Sequence, residues 1–73
     1  MVVMCRFVGG PCGGIVKRFI NLQEPLEHIL IKDGKLVHVY DLGETSGPLA
    51  DYDFVQTLSE DEVDPQDLNA DAP

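Results

Sequence analysis

Two cysteines and two histidines are the side chains of this sequence that could bind a metal ion or act as a nucleophile and its base. They are Cys5, Cys12, His28 and His38. Structural zinc sites usually take their ligands from closely spaced pairs, but six residues separate these cysteines and nine separate the histidines. A nucleophilic cysteine also needs a lowered thiol pKa and an orienting third group. We therefore predict no catalytic residue, no metal, no cofactor and no enzymatic activity.

Residues 9–14 contain four glycines and one proline, a composition that phosphate-binding loops share. Those loops, however, follow a strand and open a helix, whose first amides hold the phosphate. Here the loop is followed by residues 15–20, which have the composition of a β-strand. We therefore interpret the loop as a structural turn in which glycine supplies positive φ angles.

The carboxylates are very unevenly distributed. Residues 36–73 contain ten carboxylates and no Lys or Arg, whereas residues 1–35 contain five basic and three acidic side chains. Clustered Lys and Arg drive binding to phosphate backbones, so this layout argues against nucleic acid as a direct partner. Solubility alone is one explanation of the charge. Of the two functional explanations, we favour docking on a basic protein over imitation of DNA phosphates. The predicted partner contacts are Glu60, Asp61, Glu62 and Asp64.

The elements that must position these residues are β-strands. Residues 1–8, 15–20 and 51–58 are rich in β-branched, aromatic and other apolar side chains. Residues 28–32 and 35–40 are two further apolar runs, and the Asp33-Gly34 pair between them predicts a β-hairpin with a type I′ turn.

The register of that hairpin indicates how the sheet is arranged. A turn at Asp33-Gly34 sets Ile31 opposite Leu36 and makes both faces of the hairpin largely apolar, which favours a barrel or a sandwich. The same register sets Lys32 opposite Lys35, a mild repulsion that a longer loop would relieve.

We therefore predict an all-β fold: a small antiparallel sheet, barrel or sandwich of about five strands. Tyr52, Phe54 and Leu58 are expected on one face of the last strand. The predicted core residues are Phe7, Ile29, Ile31, Leu36, Val37, Val39, Tyr40 and Phe54.

The last fifteen residues have a different composition. Residues 59–73 contain six carboxylates and two prolines, with only two large aliphatic side chains to offset the entropy of ordering. The expected organisation is a β-rich domain over residues 1–58 and a disordered acidic C-terminal tail over residues 59–73.

The glycine-rich loop and its flanks resemble a group of short proteins of unknown function from actinobacteria and especially their phages. The resemblance rests on residues 6–14, Arg-Phe-Val-Gly-Gly-Pro-Cys-Gly-Gly, and on a later His38-Val39-Tyr40 strand. The family pattern is Gly-Gly-Pro-x-Asp-Gly, and Gly13 stands here where the family has Asp, so any turn-stabilising hydrogen bond from that carboxylate is missing. The resemblance implies a phage or phage-like origin.

A non-enzymatic, protein-binding role follows as the expected function. The first form is a virion accessory protein, such as a capsid decoration or stabilising subunit, attached through its N-terminal strand or its acidic tail. The alternative is a small phage effector that binds and inhibits a host enzyme or defence protein through its acidic surface.

The expected partner is thus a viral structural protein or a host protein, not a membrane. The first residues lack the pattern of a signal peptide, and no apolar run reaches the length of a membrane span. The predicted location is the host cytoplasm or the virion.

Overall fold

The computed structural model describes residues 2–19 and 24–72. Outside the described residues lie Met1, residues 20–23 and Pro73. The predicted strands include Met1 and Ile20, and the predicted tail includes Pro73. In the described part of the chain, six strands form one sheet. They are β1 (Val3–Val8), β2 (Val16–Phe19), β3 (His28–Asp33), β4 (Leu36–Ser46), β5 (Leu49–Ser59) and β6 (Ala70–Asp71).

The strand order is β2-β1-β5-β4-β3-β6. The pairs β1–β2, β3–β4 and β4–β5 are antiparallel, whereas β1–β5 and β3–β6 are parallel. The sheet curls into a half-barrel without α-helices in the described residues. The all-β prediction is confirmed, with the difference that the sheet is mixed and has a sixth strand.

One face of the curled sheet, here called the core face, carries the apolar core. Successive side chains of a strand point to opposite faces, so alternate residues of β1 such as Val3, Cys5 and Phe7 reach it. Phe7 lies edge-on against Tyr40, with ring centroids 4.9 Å apart, and also packs near Tyr52 at 6.1 Å. The buried residues of this core are Val3, Cys5, Phe7, Cys12, Ile29, Ile31, Tyr40, Ala50 and Tyr52.

The glycine-rich loop covers part of the core. Gly9, Gly10 and Gly14 have φ angles of 74°, 66° and 88°, which favour glycine because it lacks a Cβ. Tyr40 holds this loop in place: its hydroxyl donates a hydrogen bond to the Gly9 carbonyl at 2.6 Å and accepts one from the Cys12 amide at 3.0 Å. The loop is therefore a structural lid over the aromatic core.

The β3–β4 hairpin forms as predicted, but its register differs by two residues. Asp33 is opposite Leu36 and Ile29 is opposite Tyr40, which leaves Gly34, at φ 60°, as the first residue of a two-residue loop. A shift of two residues keeps every side chain on its face, because the side-chain period of a strand is two. The observed register also sets Lys32 opposite an apolar residue and removes the repulsion that the predicted register contains.

A bulge in β5 changes which face its last residues occupy. Val39 is opposite Gln56 while the next residue, Tyr40, is opposite Phe54, so Val55 is an extra residue. Leu58 therefore lies on the outer face, not on the face of Tyr52 and Phe54 as predicted. Among the predicted core residues, Leu36 is 48% exposed and Phe54 is 36% exposed.

The C-terminal segment, residues 60–72, differs from the disordered tail expected from composition. It forms two short 3-10 helices, Glu60–Glu62 and Pro65–Asp67, followed by β6. Asn69 exchanges hydrogen bonds of 2.8 and 2.9 Å with the backbone of Leu30. The physical reason is that the segment finds backbone partners along the exposed edge of β3, which composition alone does not reveal.

The C-terminal segment also covers an apolar residue on the outer face. Val37 is fully buried but does not belong to the core cluster, and it lies beneath Val63, Pro65 and Leu68. Burying a valine side chain contributes about 1.5 kcal/mol or more to stability. The segment is thus part of the folded unit, not an appendage to it.

Deletion of residues 60–73 is expected to destabilise the protein, because it exposes Val37 and leaves the edge of β3 unpaired. We expect a loss of about 2 kcal/mol and a fall in the melting temperature of roughly 10 °C. Thermal unfolding followed by circular dichroism measures both. Leu68→Ser in the full-length chain should reproduce part of the loss, and an unchanged melting temperature after deletion would show that the segment does not pack on the sheet.

Substitution of Gly10 by alanine is expected to cost roughly 2 kcal/mol or more. The residue combines a positive φ with a position at which an added Cβ would collide with the ring of Phe54. Gly47→Ala is the matched control, because Gly47 has φ 60° but open space around it, and its cost should stay near 1 kcal/mol. Urea denaturation of both variants gives the comparison; equal losses would mean that contact with Phe54 plays no role.

Candidate surface for protein binding

The four predicted contact residues lie in the C-terminal segment but do not have equal roles. The carboxylate of Glu60 is 3.9 Å from the ammonium group of Lys32 and is partly occupied by that pair. Asp64 accepts a hydrogen bond from the Gln66 amide at 3.0 Å and so caps the second 3-10 helix. Asp61 and Glu62 are exposed. The geometry therefore leaves Asp61 and Glu62 as the two carboxylates best placed to contact a partner.

The outer face of the sheet contains a groove, a feature that the sequence patterns did not predict. We call it the outer groove; its volume is about 730 Å³. Its apolar lining consists of Leu26, Leu30, Val39, Val55 and Leu58. Its polar lining consists of Glu27, His28, Asp41, Gln56, Asp67 and Asn69.

Three neighbouring strands build the floor of the outer groove. Leu30 in β3 is directly opposite Val39 in β4, which is opposite Gln56 in β5. The bulge at Val55 brings Leu58 onto this same face beside them. The solvated face of an antiparallel sheet is normally polar, so a row of apolar side chains here is unusual for a surface that faces water alone.

The rim of the outer groove is acidic. It carries the carboxylates of Glu27, Asp41 and Asp67, and none of its lining residues in the described structure is Lys or Arg. Asp41 also contacts the imidazole of His28, with 2.6 Å between Oδ1 and Nδ1. Asp53 is directly opposite Asp41 and extends the acidic row onto β5.

The sequence did contain a signal for the outer groove. Both faces of the β3–β4 hairpin are largely apolar in the sequence, a pattern that favours a small barrel or a sandwich. The structure instead curls one sheet around one core and leaves the second apolar face partly open. The bulge at Val55, which completes the groove by moving Leu58, has no glycine or other marker in the sequence.

His38 is buried, and both of its ring nitrogens have partners. Nδ1 is 2.9 Å from the Thr57 hydroxyl and Nε2 is 3.0 Å from a carboxylate oxygen of Asp33. The order of carboxylate, imidazole and hydroxyl resembles a catalytic relay, but His38 is only 2% exposed, which leaves no room for a substrate beside its imidazole. The network satisfies a buried polar side chain and ties the β3–β4 turn to β5.

Three amides of the glycine-rich loop donate hydrogen bonds to other groups of the protein. The Gly13 amide donates to Gly10 at 3.2 Å, the Gly14 amide donates to Phe7 at 2.9 Å, and the Cys12 amide donates to the Tyr40 hydroxyl. A phosphate-binding loop needs amides that point together into open space. This arrangement agrees with the interpretation of the loop as a structural turn.

Both cysteines are reduced and buried. Burial raises the pKa of the Cys5 thiol and of the Cys12 thiol above the ordinary value. A raised pKa disfavours the thiolate, which is the nucleophilic and metal-binding form. Within residues 2–19 and 24–72, no three side chains of His, Cys, Asp or Glu converge in a way that could hold a metal ion.

Comparison with known proteins gives no match: no family model, no curated protein and no solved structure is significantly similar to the chain. The resemblance of residues 6–14 to actinobacteriophage proteins therefore stays a prediction. In the described part of the chain, no helix combines the length and the apolar character needed to cross a membrane.

The alkaline limit of stability is expected to depend on Tyr52. Burial, as the main cause, raises its pKa from 10.0 to about 12, and its hydroxyl donates a hydrogen bond of 2.5 Å to the Leu26 carbonyl. Since the unfolded chain releases this proton near its ordinary pKa, the stabilising contribution is complete below pH 10.0 and is lost as the pH rises towards 12. Urea denaturation at a series of pH values should show this fall.

Tyr52→Phe should make that fall shallower, with the remaining slope due to Tyr40 and the two thiols, whose pKa values are also raised. The variant should lose about 1–2 kcal/mol at neutral pH, because the Leu26 carbonyl loses its hydrogen bond. An identical pH dependence in the wild type and the variant would contradict the assignment.

Proposed function

We propose that this chain is a non-enzymatic protein-binding protein whose acidic half docks on a basic surface of another protein. The proposal rests on the positions of the carboxylates in the fold. Strands β4 and β5 are neighbours, and the C-terminal segment runs beside β3, the other neighbour of β4. The ten carboxylates of residues 36–73 thus belong to adjoining elements.

Only part of this charge is neutralised within the chain. Arg6 binds Asp51 through two hydrogen bonds of 2.9 Å, and Lys32 is near Glu60. Asp61 and Glu62 remain exposed on the C-terminal segment. Exposed carboxylates of this kind accelerate association with a basic protein and make the binding sensitive to salt.

For the biological setting, we propose a virion accessory protein, such as a capsid decoration or stabilising subunit, in the virion or in the host cytoplasm. The resemblance of residues 6–14 to phage proteins supports this setting. Attachment through the C-terminal segment fits this setting better than attachment through the N-terminal strand, because β1 has neighbours on both sides.

The alternative is a small phage effector that inhibits a host enzyme or defence protein. The acidic rim of the outer groove favours it, because a basic catalytic or nucleic-acid-binding cleft is a complementary target.

Capture from infected-cell lysate with tagged full-length protein tests the proposal. We expect a protein partner that is retained at 50 mM salt and largely lost at about 500 mM, because exposed charge pairs are screened at high salt. Mass spectrometry distinguishes the two settings: capsid or tail subunits support the virion role, and a host enzyme supports the effector role. Failure to retain any protein at low salt would contradict the proposed function.

A matched pair of variants locates the contact. Glu62→Gln removes one exposed charge from the predicted site, and Glu24→Gln removes one exposed charge outside the acidic half. Because the change in net charge is the same, weaker capture by the first variant alone assigns the contact to the C-terminal segment. Equal capture by both variants would remove Glu62 from the site.

A further inference from the structure

We propose that the outer groove is a docking site for a partner segment in which apolar side chains alternate with Lys or Arg. This inference rests on the proposed function, the binding of a basic protein, and names the part of the surface and the kind of segment involved. It concerns the groove on the sheet, which is distinct from the exposed acids Asp61 and Glu62.

The floor of the outer groove determines the apolar part of this chemistry. Leu30 and Val39 are opposite each other and only half-buried, and Val55 is 48% exposed. Neighbouring strands are about 4.8 Å apart, so this apolar row extends over roughly 10 Å from β3 to β5. That is room for two apolar side chains of an extended segment, whose side chains on one face repeat about every 7 Å.

The rim determines the charge of the segment. Asp41 is two residues beyond Val39 on β4, so the Asp41–Asp53 pair lies next to the Leu30–Val39 pair on the same face of the sheet. Glu27 and Asp67 contribute two further carboxylates. The intervening residues of an extended segment whose apolar side chains reach the floor point away from the sheet, and the long side chains of Lys and Arg can reach back to the rim carboxylates. Lys or Arg at those positions forms ion pairs, whereas Asp or Glu meets repulsion.

The same charges argue against a second copy of this chain as the occupant. Each copy has a net charge of −8, and a two-fold symmetric contact would bring each acidic rim close to its own duplicate. Nucleic acids and anionic membranes are repelled for the same reason. The groove is also open along its length, so it would not enclose a small molecule.

Two valines provide a matched test. Val55 is in the groove and is 48% exposed, whereas Val16 is outside the groove on the edge strand β2 and is 47% exposed. Val55→Lys and Val16→Lys change the net charge equally, and both replace a half-exposed strand valine. Only Val55→Lys removes an apolar contact from the groove and adds a like charge against a basic segment.

The probes are three synthetic peptides of seven residues that alternate Lys with Leu, Lys with Ser, or Glu with Leu. Each is titrated into the ¹⁵N-labelled full-length protein. We expect the Lys-Leu peptide to perturb the amides of Leu30, Val39 and Leu58, the Lys-Ser peptide to bind at least tenfold more weakly, and the Glu-Leu peptide not to bind. Val55→Lys should weaken Lys-Leu binding at least tenfold, and Val16→Lys should leave it within twofold, while the remaining amide spectrum of each variant shows that it is folded.

Four results would overturn the inference: equal binding of the Lys-Leu and Lys-Ser peptides, no binding of either, perturbations centred on residues 60–64, or equal weakening by the two valine variants. Sedimentation of the free protein gives a fifth. A concentration-dependent dimer that Val55→Lys abolishes and Val16→Lys preserves would assign the groove to a second copy. If the wild type captures a partner from lysate and both variants still do, the proposed function stands and the groove inference fails.

Discussion

A single sheet can bury an apolar face only if another part of the chain covers it, and in this protein two tyrosine hydroxyls hold the cover in place. Tyr40 binds the backbone of the glycine-rich loop at Gly9 and Cys12, and Tyr52 binds the Leu26 carbonyl before β3. Buried hydroxyls require partners, and irregular backbone near a core also requires partners, so each group satisfies the other. The aromatic rings of the same side chains fill the core that the loop and Leu26 cover.

This arrangement explains why the sheet has two unlike faces. The core face is closed by the loop, Leu26 and the curl of the sheet, and in the described residues the C-terminal segment covers the outer face at Val37. The bulge at Val55 then places an additional leucine on the partly open side. The outer groove is thus a direct consequence of closing one core with one sheet: apolar residues of the second face have no second sheet to pack against.

Charge is organised by the same topology. The parallel pairing of β1 with β5 brings Arg6 beside Asp51 and neutralises one carboxylate across the two halves of the chain. The adjoining β4, β5 and C-terminal segment keep most of the others together. A small protein with few cations cannot neutralise such a group internally, and the remaining field is available to a basic partner. Some carboxylates of this region therefore stabilise the fold through ion pairs, and others are available to attract a basic partner.

The sequence by itself determined the local features, because these depend on residues close together in the chain. Alternating β-branched and aromatic residues predicted the strands, Asp33-Gly34 predicted the hairpin, and residues 9–14 predicted a glycine-rich turn. The uneven charge was also readable directly. Even the hairpin faces were correct, since a register error of two residues does not change the face of a side chain.

Only the tertiary structure decided the features that depend on contacts between distant residues. Composition predicted disorder for residues 59–73, but the described residues 60–72 are held by β3 and cover Val37, interactions that no count of their own side chains contains. The bulge at Val55 likewise arises from pairing two strands, and it alone placed Leu58 on the outer face. The parallel pairing of β1 with β5 joins residues more than forty positions apart, and local patterns carry no information about such a pair. The outer groove depends on these contacts between distant residues. The apolar character of its residues could therefore be read from the sequence, but their assembly into one site could not.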